Sequence, residues 1–333
     1  MPAAHAAQED VRMRVVYWAR LGLARPQVTA ALEAVPGALL TVVETLPELL
    51  AALPGAEALV TYDAPPPAAR EVVAALSAPG ATVRWMHLLT AGREGFEAAG
   101  LPRALAVTWA AGAVAPTVAE HAMALLLALA RRIPEMAEQT RAARWDRAPA
   151  ARAVSLEGGT LALIGFGHIG REVARRAQAF GMRVVALTRR PAADPLVDEA
   201  LPLDALHEVL PRADAIVVAL ALAPATRHLL DAEAFARCRP GALLVNVARG
   251  GLVDQAALRA ALERGALGGA ALDVTEPEPL PPDDPLWGAP NLIVSPHFAG
   301  GGSRTSLARL ADGAAANLRR LMAGEPLMNL VPD

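Results

Sequence analysis

Two blocks of short apolar runs, separated by one long helical segment, organise this chain. Between Met13 and about Trp109, runs rich in Val and Leu at 14–19, 38–43, 58–62, 83–89 and 105–109 alternate with Ala/Leu/Glu segments of helical character. Such alternation predicts a parallel sheet flanked by helices. The stretch from Pro116 to Arg132 reads as a single helix connecting two domains, with Pro116 suited to a first turn and Arg131-Arg132 near the end where cations are favoured. Residues 134–155 are rich in Arg and Ala around Trp145. They suggest an arm crossing to another surface, or a solvated helix with one packed Trp. From Thr160 the alternation resumes, with strand candidates at 160–165, 183–187, 215–220, 242–247, 270–274 and 291–294. Six parallel strands predict a doubly wound dinucleotide-binding domain. A last helical stretch, Ser303 to Met322, is expected to return to the first domain and make it discontinuous. The expected domains are therefore 11–112 with 303–333, and 113–302 between them. No internal repeat of fixed period is visible.

Composition narrows the partners. At 333 residues the chain has enough length for two cores. A net charge of -3, with both signs interspersed, provides no basic field for nucleic acid or an anionic membrane. The greasiest run, Ala122 to Ala130, is far shorter than the ~20 apolar residues of a spanning helix. The first ten residues lack the basic start and apolar stretch of a secretory signal and read as a frayed extension. Cys238 is the only cysteine, which excludes an intrachain disulfide and a cysteine-rich metal site; no metal is expected, and a reducing cytoplasm fits. There is no lysine at all. That excludes Schiff-base chemistry, a P-loop lysine and a Tyr/Lys catalytic pair, so any permanent cation in the site must be Arg.

Candidate chemistry lies in the second block. Gly165, Gly167 and Gly170 follow an apolar strand, open an amphipathic stretch and precede another strand at 183–187. This is the context that turns a common glycine triplet into a dinucleotide fingerprint, with the pyrophosphate on backbone amides at the helix start. His168 lies inside that turn, where its amide matters more than its ring. At the end of the next strand, where an NAD enzyme places Asp or Glu for the ribose 2′-hydroxyl, this chain has Thr188-Arg189-Arg190. Two guanidiniums and a hydroxyl suit a 2′-phosphate, so NADP(H) is expected over NAD(H); the bland reading is a pair of surface arginines.

Further on, Arg249, Glu278 and His297 each follow a strand of the same sheet, and such positions converge on the crevice where a doubly wound sheet binds its ligand. Reduction of a 2-keto acid needs a proton donor, and histidine serves in both directions near neutral pH. His297 takes that part, Glu278 fixes and charges the imidazole, and Arg249 holds the substrate carboxylate and polarises the carbonyl. Asp273 is placed to accept a hydrogen bond from the nicotinamide carboxamide. Other histidines are weaker candidates. His121 adjoins Glu120, but neighbouring helical residues point apart; His87 sits on a strand where core packing is the expectation; His207 follows Asp204 at the spacing of a surface pair; His5 is in the extension, and His228 has no acid near it in sequence.

These motifs together, Gly165-Phe-Gly-His-Ile-Gly170, Asn246-Val-Ala-Arg249-Gly-Gly-Leu-Val-Asp254, Ala271-Leu-Asp273-Val-Thr-Glu-Pro-Glu278 and Ser295-Pro-His297-Phe-Ala-Gly300, resemble the D-isomer-specific 2-hydroxyacid dehydrogenase family over most of the chain. The resemblance implies a Rossmann cofactor domain inserted into a flavodoxin-like substrate domain. It puts the family's catalytic triplet on Arg249, Glu278 and His297 and selects Glu278 over Glu276. It puts the nicotinamide contact on Asp273, and the cofactor contacts expected in all are Gly165, Gly167, His168, Ile169, Gly170, Thr188, Arg189, Arg190, Val247, Ala248 and Asp273. The substrate carboxylate would lie partly on the loop Thr90-Ala91-Gly92, with Arg249 and His297 completing the substrate contacts. Thr90 stands where many members have Gly, and Arg93-Glu94 where they have Val-Asp. A homodimer through the cofactor domain, with an arm around Trp145, is also implied. With NADP(H), the glyoxylate and hydroxypyruvate reductases are the nearest type; the alternatives are an NAD-linked D-lactate or other D-2-hydroxyacid dehydrogenase, and a non-catalytic cofactor-binding scaffold or corepressor.

Overall fold

The computed structural model describes residues 12–90 and 92–331; the N-terminal extension, His5 and Ala91 fall outside the described residues. In chain order the strands are β1 (Met13–Trp18), β2 (Ala38–Val43), β3 (Ala58–Thr61), β4 (Trp85–Leu88), β5 (Ala106–Trp109), β6 (Thr160–Ile164), β7 (Arg183–Leu187), β8 (Glu199–Leu201), β9 (Ala215–Val218), β10 (Ala242–Asn246), β11 (Leu267–Leu272) and β12 (Leu292–Val294). The helices are α1 (Arg25–Glu33), α2 (Leu46–Ala52), α3 (Pro66–Leu76), α4 (Glu94–Ala99), α5 (Ala115–Ala130), α6 (Ile133–Arg141), α7 (His168–Ala179), α8 (Leu206–Val209), α9 (Ala232–Arg237), α10 (Gln255–Glu263) and α11 (Arg304–Ala323). Two compact units result, Met1–Val114 with Ser303–Asp333, and Ala115–Gly302.

In the first unit a five-stranded parallel sheet runs in the order β2-β1-β3-β4-β5. That is the doubly wound order with its switch point between β1 and β3. Alternate residues of β1 enter opposite cores, as the two-residue period of a strand requires. Val15 and Tyr17 pack with Val28 and Leu32 of α1 and with Leu310, Ala314 and Leu318 of α11. Val16 and Trp18 pack with Leu49, Val72, Val73 and Phe96 from the other three helices. His87 of β4 is 1 % exposed, its Nδ1 2.8 Å from the Thr108 hydroxyl, which also accepts from Trp85 Nε1 at 2.9 Å. Burial pushes this imidazole down to about 3, so it stays neutral and belongs to the core.

The second unit holds a seven-stranded parallel sheet, β12-β11-β10-β9-β6-β7-β8. The sequence predicts six of these strands. The seventh, β8, is an edge strand of three residues beside β7 and lacks an apolar run, so only its pairing with β7 makes it a strand. Its central neighbours β6, β7, β9 and β10 are buried almost throughout, which is why they read as unbroken apolar runs. Helix α5 lies within this unit, packed on α7 and across β10 and β11. Beyond α6, Trp145 stands in a loop at 92 % exposure, so the alternative of a helix with one packed Trp is incorrect. Among the described residues, no helix is long and apolar enough to cross a membrane.

Candidate active site

Three adjacent strands deliver the catalytic candidates. β10 ends at Asn246, a polar residue with no exposed surface, whose side chain is spent entirely on the turn that follows. Its Nδ2 donates to the Arg249 carbonyl at 2.9 Å and its Oδ1 accepts from the Ala248 amide at 3.0 Å. Arg249 then emerges half-buried, its Nη1 donating to the Ala248 carbonyl at 2.7 Å, with Val247 and Ala248 buried beneath it. A Cβ on the next residue, Gly250, would lie 2.1 Å from the Thr275 carbonyl carbon. Glycine is therefore what allows the Arg249 turn to touch the loop carrying Glu278.

That loop follows β11. Thr275 organises it, its hydroxyl donating to the Pro277 carbonyl at 2.9 Å and its amide to Glu278 Oε1 at 3.1 Å. The other oxygen, Glu278 Oε2, lies 2.8 Å from His297 Nδ1. Burial alone would raise the Glu278 carboxyl, but the bonds from His297 and Thr275 and the charges of His297 and Arg249 outweigh it and hold it below its ordinary value. The Glu278 bond raises His297 above an ordinary histidine, against burial and the Arg249 charge. Glu276, two residues earlier, faces another partner: Arg227 Nη2 is 2.6 Å from its Oε2, and Gln255 binds its backbone.

His297 itself adopts a left-handed backbone, φ 50°, in a turn wrapped around Asp273. Its amide donates to the Asp273 carbonyl at 2.8 Å, while the Asp273 carboxylate accepts from the Ser295 hydroxyl at 2.6 Å and from the Phe298 and Ala299 amides at 3.2 Å each. Asp273 is 2 % exposed, and these donors are what make its burial tolerable. The sequence reading missed His121, whose Nε2 reaches Ser295 Oγ at 3.0 Å and lies 3.4 Å from Asp273 Oδ1. Its partner is not the adjacent Glu120 but a residue 174 positions away. His207 meets Glu233 at 3.7 Å, not Asp204. Cys238 is buried, its thiol pushed up to about 12, and it offers no nucleophile.

The glycine turn sits between β6 and α7. A Cβ at Gly165 would meet the Ala219 carbonyl oxygen at 2.4 Å, and one at Gly170 would meet that of Gly165 at 2.2 Å, so both permit close backbone packing. Gly167 differs: it caps α7 without a side-chain bond, and open space surrounds its missing Cβ. An uncapped twelve-residue helix facing a bare glycine, with His168 and Ile169 in its first turn, fits a dinucleotide pyrophosphate. After β7, Thr188 is half-buried and Arg189 and Arg190 are exposed. The next acids are otherwise engaged, Asp194 with Arg171 at 2.7 Å and Asp198 with the Val184 amide at 2.8 Å.

In the first unit, the Thr90 hydroxyl donates to the Gly92 carbonyl at 2.7 Å and accepts from the Asp63 amide at 3.1 Å, so this side chain closes its own loop. Among the described residues no group of three or more His, Cys, Asp or Glu side chains could hold a metal ion. A shallow depression lined by Leu127, Arg131, Leu156 and Phe180 contains none of the candidate residues.

Known proteins resemble this chain in sequence and in fold. Residues 123–299 match the model of the D-isomer specific 2-hydroxyacid dehydrogenase NAD binding domain. A glyoxylate reductase of Korarchaeum cryptofilum is 38% identical over 235 residues, 69% of this chain and 70% of the relative. A D-3-phosphoglycerate dehydrogenase of Methanocaldococcus jannaschii is 38% identical over 224 residues, 65% of this chain but 41% of that longer protein. Among solved structures, a D-isomer specific 2-hydroxyacid dehydrogenase from Xanthobacter autotrophicus Py2, in complex with NADPH and MES, superposes with a TM-score of 0.80 at 27% identity, covering 96% of this chain and 98% of that one. With the Rossmann-type sheet in the second unit and a doubly wound sheet in the first, the chain belongs to the D-isomer specific 2-hydroxyacid dehydrogenase family.

Proposed function

We propose that this protein reduces short 2-keto acids of the glyoxylate and hydroxypyruvate type to 2-hydroxy acids with NADPH. The observation that carries the reading is the 2.8 Å contact between His297 Nδ1 and Glu278 Oε2, with the Arg249 charge acting on both groups. The bound dihydronicotinamide would supply the hydride to the carbonyl carbon. With Nδ1 held by Glu278, the imidazolium keeps its Nε2 proton for the carbonyl oxygen, and in the reverse direction neutral His297 takes the hydroxyl proton back. Glu278 orients the ring and favours its charged form. Arg249 holds the substrate carboxylate and polarises the carbonyl. Asp273 would accept from the carboxamide, and the turn from Gly165 to Gly170, with Val247 and Ala248, would hold the rest of the cofactor.

NADP(H) is favoured because Thr188, Arg189 and Arg190 follow β7 and the nearby carboxylates are committed to other partners. A homodimer through the second unit is proposed from the exposed apolar side chains that follow α5 in the chain, Trp145, Ile133, Met136 and Val154, at 92%, 47%, 43% and 46% exposure. A reducing cytoplasm suits a chain whose sole cysteine is a buried free thiol.

The test is a panel of small 2-keto acids run with NADPH and NADH side by side. Highest kcat/KM is expected for glyoxylate or hydroxypyruvate with NADPH. Turnover of none of them would remove the enzymatic reading, and a preference for bulkier keto acids would remove the substrate assignment.

A further inference from the structure

The proton count around Ser295 fixes the direction of three linked hydrogen bonds. Ser295 has one hydroxyl proton, and its 2.6 Å contact with Asp273 Oδ1 uses it, because a carboxylate offers no proton in return. The 3.0 Å contact between the same hydroxyl oxygen and His121 Nε2 must then run the other way, with Nε2–H donating. His121 therefore carries a proton on Nε2, and the chain reads His121 Nε2–H to Ser295 Oγ–H to Asp273 Oδ1. The ring is also seated by Phe298, which it meets edge to face at 4.8 Å between centroids, and Phe298 contributes an amide to the same carboxylate.

The carboxylate can be counted likewise. Its two oxygens offer about four acceptor positions. Oδ1 takes the Ser295 hydroxyl and the Phe298 amide, and Oδ2 takes the Ala299 amide. His121 Nε2 also stands 3.4 Å from Oδ1, so among the described residues the less occupied oxygen is Oδ2, with one acceptor position left. A carboxylate with three fixed donors and one acceptor position left can take one further N–H, and a primary carboxamide carries such a donor.

We propose that His121 is a positioning residue for the nicotinamide carboxamide. By donating to Ser295 it locks the serine proton on Oδ1, polarises that bond, and keeps the open acceptor on Oδ2 rather than letting the carboxylate rotate. This rests on the reading of Asp273 as the carboxamide acceptor and adds to it a residue from α5, a helix remote in sequence from every motif of the site.

The test pairs enzyme variants with two cofactors, NADPH and its reduced 3-acetylpyridine analogue, which keeps the carbonyl but has no amide N–H. Dissociation constants are measured by titration calorimetry, without turnover, and repeated with the NADH pair. Wild type should prefer the carboxamide over the acetyl form by about three- to tenfold, the worth of one hydrogen bond. His121→Leu should lose most of that preference by weakening NADPH while leaving the acetyl analogue within about twofold. His121→Gln, whose amide N–H can stand in for Nε2–H, should retain it, and Ser295→Ala should lose it as His121→Leu does. Equal weakening of both cofactors in His121→Leu would mean that His121 only supports the fold, and an unchanged preference would mean that it plays no part; either overturns the proposal. Should His121→Leu not fold, Ser295→Ala and His121→Gln decide it by the same ratio. Absence of any preference in the wild type would instead overturn the assignment of Asp273 itself.

Discussion

His297 is held toward its charged form by a contact with a residue nineteen positions earlier. The Glu278 bond raises its pKa above the ordinary value of about 6.5, and burial and Arg249 only partly offset this. In the proposed reaction reduction uses the protonated imidazole, so kcat/KM should be level below the raised pKa and fall as pH climbs through it, while oxidation should rise through the same pKa. In Glu278→Gln the charge is gone and the alkaline limb of reduction should move to lower pH; a pH–rate profile with an unmoved limb would show that another group supplies the proton. Arg189 and Arg190 carry a separate prediction. Replacing both with Ser should lower kcat/KM with NADPH by about tenfold or more and leave NADH within about twofold, since two charge-assisted contacts to a 2′-phosphate would be lost. Steady-state kinetics with the two cofactors checks it. The identities of these residues were legible from the sequence because each sits in a motif whose chemistry demands its type. His121, Asn246 and Ser295 were not read as functional, because nothing in a helix or strand pattern says which buried polar atom meets which.

Elements place the residues, and their fit depends on backbone contacts. The turn after β10 and the loop after β11 touch at Gly250 and Thr275, where a Cβ would sit 2.1 Å from a carbonyl carbon and 2.2 Å from its oxygen. Backbone stands on that side, with no flexible side chain to give way. Gly250→Ala should therefore destabilise the protein by about 1–3 kcal/mol and displace the turn bearing Arg249. Denaturant unfolding should show the loss, and KM for the keto acid should rise with kcat falling; wild-type stability and kinetics in this variant would contradict the packing. Most strands were predictable within a few residues because helices cover both sheet faces and leave long apolar runs. β8 escaped because three half-buried residues at a sheet edge carry no periodic signal, and only hydrogen bonds to β7 define them.

For the whole molecule, packing assigns Arg304–Ala323 to the same unit as β1 through β5, where Leu310, Ala314 and Leu318 close the core beside α1. Trp145 is the clearest feature left without a partner inside its own described chain surface, at 92 % exposure. A tryptophan so exposed loses the benefit of burying its large apolar surface unless another molecule covers it. Trp145→Arg should shift the protein from dimer toward monomer without lowering its melting temperature as a monomer-core substitution would. Light scattering after size exclusion measures this, and a wild type that is monomeric at working concentration would dismiss the proposed arm.

The amino-acid sequence determined the two α/β blocks, the glycine turn, the missing acid after β7 and the order of Arg, Glu and His, since each depends on local periodicity or on a residue type that the chemistry requires. Only the tertiary structure decided that Glu276 turns to Arg227, that Thr90 closes its own loop, and that His121 joins Ser295 and Asp273. The physical reason is range: hydrogen bonds are made across about 3 Å of space, and the chain can bring together residues 174 positions apart without leaving a periodic trace.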